Sequence, residues 1–153
     1  MKKVKQLLIG IILLSFTGVA QTGDSHNGYI EWNLGIAYID DGFIVKGWIP
    51  GTSVLIGTRL DFKNNFLLDL EGGIAIPSYT TAKLGVGTYI KKENNSAFIV
   101  GVRLWPIHGY GQINFPETKV GQWILSGELG NESQFSLYSS AILNFGYRWK
   151  LKR

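Results

Sequence analysis

The chain has 153 residues, no cysteine, 20 glycines, 17% charged residues and a formal net charge of +4. That length suits one domain, and the absence of cysteine excludes disulfides, thiolate metal sites, cysteine nucleophiles and lipidated-cysteine anchors. Apolar content of 45% argues against intrinsic disorder, and the modest charge, partly contributed by the N-terminus, leaves no nucleic-acid footprint.

The first twenty residues read as a cleavable address. Lys2, Lys3 and Lys5 form a basic n-region, and Leu7–Phe16 is an apolar run. The small residues Thr17-Gly18-Val19-Ala20 then suit signal peptidase, with cleavage expected after Ala20. The run is too short to span a bilayer, which takes about 20 apolar residues. Residues 1–20 are thus expected to be a secretory signal peptide and 21–153 a single β-barrel domain.

Beyond Tyr29 apolar residues recur at every second position, the period of a strand with two unlike faces. The runs are Ile30–Tyr38, Val54–Phe62, Phe66–Ile76, Ala82–Ile90, Phe98–Leu104, Trp123–Leu129 and Leu137–Leu151. An eighth strand falls on His108–Phe115 or on Phe43–Ile49. The second is cut short by Pro50, and proline is poorly tolerated inside a ladder. Turn signals at Lys63-Asn64-Asn65, Pro77-Ser78, Glu93-Asn94-Asn95, Pro116-Glu117 and Asn131-Glu132-Ser133 make the pattern up-and-down antiparallel β. Transmembrane strands need about 9–11 residues each, so the length supports eight strands and excludes a sixteen-stranded diffusion porin.

Composition indicates which face is inside. The apolar set is too bulky for the lumen of an eight-stranded barrel, which side chains barely fit. The opposite set is rich in glycine and carries Glu31, Arg59, Asp61, Asp69, Glu71, Lys83, Arg103, Glu128 and Arg148. Charges enclosed in a narrow lumen need partners, and this near-balanced mixture supplies them. The apolar set is therefore expected to face lipid. Aromatic girdles, which transmembrane barrels carry at both interfaces, are expected from Phe62, Phe66, Phe98, Tyr147 and Trp149 at one rim. Tyr38, Tyr79 and Trp105, with Trp48 as a further candidate, would lie at the other.

The leader, the period of two and the final strand Asn144-Phe145-Gly146-Tyr147-Arg148-Trp149 resemble the small eight-stranded outer-membrane barrels of Gram-negative bacteria, the OmpA/OmpX-like class. The resemblance is one of architecture and covers Gly28–Lys152. It implies residence in the outer membrane, contact with its lipid, and insertion by the barrel-assembly machinery. Members of the class often end on an aromatic residue, whereas this chain runs on through Lys150-Leu151-Lys152-Arg153. Any terminal insertion signal is thus displaced inward.

Candidates for chemistry are sparse. His26 lies in a polar segment after the leader and His108 follows Trp105-Pro106 at an expected rim; two isolated histidines make no zinc pattern. Lipid A deacylases on this architecture share a His-x-Ser pair, which is absent here, and Ser139 and Ser140 have no base near them in sequence. Gly85-Val86-Gly87 and Gly109-Tyr110-Gly111 complete no phosphate-binding loop, so no cofactor is expected. The expectation is a barrel with a closed polar lumen and a structural or surface-interaction role, with Asp40–Thr52 as its longest external loop and candidate partner site. Two alternatives are a lipid-modifying enzyme and a soluble lipocalin-like binder of an apolar ligand.

Overall fold

A computed structural model describes residues 27–39, 47–76, 79–104, 107–130 and 139–151. The leader and His26 lie outside the described residues, as does Trp105. Eight strands form in chain order: β1 (Asn27–Ile39), β2 (Gly47–Asp61), β3 (Phe66–Ile76), β4 (Tyr79–Lys91), β5 (Ser96–Arg103), β6 (His108–Asn114), β7 (Gly121–Gly130) and β8 (Ala141–Lys150). Each pairs antiparallel with the next, and β1 pairs with β8 to close the barrel. Closure leaves no free sheet edge. The even strand count puts the start of β1 and the end of β8 at one end, here called the termini end.

The turns at that end are tight because of their asparagines. Asn64, Asn65 and Asn95 adopt left-handed backbone angles, with φ of 64°, 63° and 55°, a region asparagine tolerates better than most residues. They sit in or beside two short 3₁₀ turns, Lys63–Asn65 and Lys92–Asn94.

The eighth strand is β6, His108–Asn114. The rival segment belongs partly to β2, which starts at Gly47 and carries Pro50 opposite Ile36 of β1. Pairing of β2 with β3 begins only at Thr52, so Pro50 lies where β2 overhangs its other neighbour and its missing N–H breaks no second ladder. This corrects the expected Asp40–Thr52 loop: Gly47–Thr52 is strand, only 40–46 connects β1 to β2, and Gly42 lies outside the described residues. The longest interstrand connection is 131–140, between β7 and β8.

The alternation sorts the side chains as the charge and volume arguments require. Large apolar residues stand on the outer surface, with Ile56 57%, Ile74 65% and Leu129 72% exposed. The inner face holds the buried polar and charged residues. The lumen is not purely polar, however: Leu55, Leu67, Ile99 and Ile124 are fully buried within it, and Leu67, Tyr89, Ala97, Ile99 and Tyr110 form an apolar cluster.

Candidate functional site

The lumen charges form two clusters. Near the termini end, Arg148 of β8 faces three carboxylates. Its Nη2 lies 2.7 Å from Glu31 and 2.6 Å from Glu71, its Nε donates to Glu31 at 2.9 Å, and its Nη1 donates to Asp69 at 2.9 Å. Arg59 adds a longer contact to Asp69 at 3.4 Å. Tyr29 lies under this cluster. Its ring stacks 3.7 Å from the Arg148 guanidinium carbon, and its hydroxyl donates to Asp69 at 2.5 Å with Glu71 at 3.1 Å. The ring fits because Gly57, opposite Tyr29 in the β1–β2 register, has no Cβ to overlap it.

Toward the far end, Glu128 of β7 collects the cations. Arg103 reaches both of its oxygens at 2.7 Å, and Lys83 lies 3.3 Å from one of them. Asn144 donates to the same carboxylate at 3.1 Å. His108 completes the group, with Nδ1 3.7 Å from Glu128 and Nε2 2.6 Å from the carbonyl oxygen of Ser139. With histidine neutral, this cluster has two cations to one anion, and the first has three anions to two cations. The imbalances cancel. Lys83, opposite Glu71 in the β3–β4 register, stands where the clusters adjoin.

Thus Glu31, Arg59, Asp69, Glu71, Lys83, Arg103, Glu128 and Arg148 are buried and brought together. Asp61 is not among them. It lies half-buried at the termini end, where it accepts from Tyr89 at 2.6 Å and Asn27 at 3.3 Å. A polar floor closes part of that end. Gln122 donates to the carbonyls of Asn95 and Phe115 at 2.8 and 2.6 Å, and Asn95 donates to Glu117, tying the β6–β7 connection to the β4–β5 turn. The mouths retain only water-sized cavities: about 40 Å³ beside Ile39, Arg103 and Ser139, and about 30 Å³ beside Tyr29, Asn95 and Gln122.

On the outer face, Phe62, Phe66, Phe98 and Trp149 are exposed, and Tyr147 is half-buried at the same termini end. Phe115 and Trp123 are exposed there as well. At the far end Tyr38 packs on Trp48 with ring centroids 5.1 Å apart. Tyr79 stands opposite Ala75, in the alternation of Thr81 and Lys83 rather than that of Thr80 and Ala82; its side chain lies outside the described residues.

Tyr29 and His108 are the lumen residues that the sequence reading missed. Tyr29 shares the alternation of Glu31, which was a usable signal. His108 is a buried partner of Glu128 rather than a rim residue. Its Nε2 engages a backbone carbonyl, so the contact shown is not that of a base with a serine hydroxyl. Among the described residues, no group of three or more metal-ligating side chains gathers.

These features define an eight-stranded up-and-down barrel with a charged, side-chain-filled interior. No protein-family model matches the chain, and no curated protein or solved structure is significantly similar to it.

Proposed function

We propose that this chain is a small outer-membrane barrel of the OmpA/OmpX-like kind, exported through a leader cleaved after Ala20, with a sealed lumen and a structural or surface-interaction role. The observation that carries the reading is the inversion of the two faces. An exposed apolar surface runs around the barrel while nearly all the strand charges lie inside. Soluble monomers rarely expose contiguous apolar patches beyond a few hundred Å², whereas a lipid-facing apolar band with aromatic margins is what a membrane barrel requires. The lumen supports a non-conducting role, because paired charges and apolar side chains fill it. Water-sized cavities also count against an apolar ligand inside.

In this reading the partners are membrane lipid, the barrel-assembly machinery during insertion, and a surface partner at the far end. There 40–46 and 131–140 take the place of the longer loop expected from sequence. Cell fractionation tests the location: the mature protein is expected in the outer-membrane fraction and extractable only with detergent. Recovery in a soluble fraction would refute it.

A further inference from the structure

The outer face of the closing seam, where β1 meets β8, is not a uniform apolar wall. Phe145, Tyr147 and Trp149 stand on β8. Phe145 stacks on Trp123 of β7 with centroids 4.9 Å apart, Tyr147 meets the same indole edge-on at 4.8 Å, and Trp149 meets Tyr147 at 5.0 Å. The row is drawn toward β7. Gly121 permits this, because a Cβ there would lie 2.7 Å from Cε1 of Tyr147.

Across the seam Trp32 is the direct register partner of Tyr147. Directly opposed aromatic residues are placed to pack on one another. Trp32 instead donates its indole N–H to the Thr52 hydroxyl on β2 at 3.0 Å. The two walls are therefore held apart by contacts on opposite sides, and a groove of about 610 Å³ opens between them, lined by Trp32, Leu34, Trp123, Phe145, Tyr147 and Trp149. Ligand sites typically span about 300–1,000 Å³.

The termini end of the groove is cationic. The Thr118 hydroxyl lies 3.5 Å from that of Tyr147, and the next residue, Lys119, is exposed. Lys150 follows Trp149 and is half exposed, shared with Glu117 at 2.8 Å. In sequence, Lys152 and Arg153 come next.

We propose that this groove binds one acyl chain of an anionic glycerophospholipid, with the lipid phosphate against Lys119 and Lys150. The inference rests on the membrane reading above and adds to it a particular lipid class at a particular seam.

The test uses the full mature chain folded into phosphatidylcholine vesicles, with tryptophan fluorescence as readout. One set contains phosphatidylglycerol brominated on its acyl chains, and the other contains brominated phosphatidylcholine at the same mole fraction. Protease protection establishes insertion first. Brominated phosphatidylglycerol is expected to quench more strongly. Lys119→Gln should weaken that preference about fivefold, the effect of one basic residue near an anionic lipid surface. Phe145→Ala should reduce it by opening one wall, and Lys92→Gln, on the remote β4–β5 turn, should leave it unchanged.

Equal quenching by the two lipids would overturn the proposal, as would equal losses in Lys92→Gln and Lys119→Gln, which would mean diffuse charge attraction. Quenching set by protein density rather than headgroup would place a second copy of the barrel in the groove and also overturn it. Failure to insert would remove the membrane reading and this inference together. Insertion without lipid preference would remove this inference alone.

Discussion

Replacing Arg148 with leucine should destabilise the barrel more than any other single change to a lumen charge. The guanidinium is the main counter-charge to Glu31, Asp69 and Glu71, with contacts of 2.6 to 2.9 Å to all three. Without it, only Arg59 remains, 3.4 Å from Asp69. Breaking a buried pair by removing one partner costs about 3–5 kcal/mol, because the other charge stays buried without compensation. Here three carboxylates are left, so the upper part of that range applies. With a urea slope of about 1–3 kcal/mol per molar, the unfolding midpoint in lipid vesicles should fall by roughly 2 M. Glu31→Gln is the informative companion. It removes one anion from a cluster that has an excess of them and keeps an acceptor for Arg148, so its midpoint should move far less. Lys92→Ala, on an exposed turn, should stay within about 0.5 kcal/mol of the parent. If Arg148→Leu moved the midpoint no more than Lys92→Ala, the buried network would not be contributing as described.

Further outcomes follow from the same geometry. Arg103→Ala should cost about 3–5 kcal/mol by stranding Glu128, and a double-mutant cycle with Glu128→Gln should show strong coupling; additive effects would mean the pair is not in contact. Gly57→Val should overpack the Tyr29 ring and cost about 1–3 kcal/mol, read as a lower urea midpoint, and a neutral effect would contradict the close approach. In planar bilayers the purified protein should carry no large, steady current, since side chains fill an eight-stranded lumen; a stable channel would refute the closed interior. The chain has no native cysteine, so Asn94→Cys and Glu132→Cys give clean single labels. In intact cells a membrane-impermeant maleimide should react at position 132 and not at 94, and the reverse would invert the topology.

Much of the barrel is legible in the sequence because a strand's period of two assigns each residue to a face wherever the faces differ. Glu31, Asp69 and Lys83 could be placed inside on that ground alone. Their partners could not. Arg148 and Glu31 are 117 residues apart and meet only because β8 closes on β1, which no local spacing encodes. Pro50 was misleading because its cost depends on whether a strand lies on both sides. At that height β2 has a partner only in β1, so the strand extends through what reads as a loop. Asp61 has the right alternation but stands at the barrel's mouth, where alternation says nothing about depth. His108 looked like a rim residue because Trp105-Pro106 precedes it, yet it begins β6 in the inward phase and reaches Glu128 across one strand pair. The seam groove was not legible either, since it depends on which way opposed aromatic side chains lean.

The central claim is that the apolar face meets lipid while the charged face is sealed inside. Nitroxide scanning of β3 tests it most directly, with single cysteines placed from Leu67 to Ile74 in vesicle-folded protein. The account predicts a period of two: high accessibility to oxygen and low accessibility to a water-soluble nickel reagent at Leu68, Leu70, Gly72 and Ile74, with little access to either at Leu67, Asp69, Glu71 and Gly73. High nickel accessibility at Leu70 and Ile74 would put the apolar face in water and contradict it.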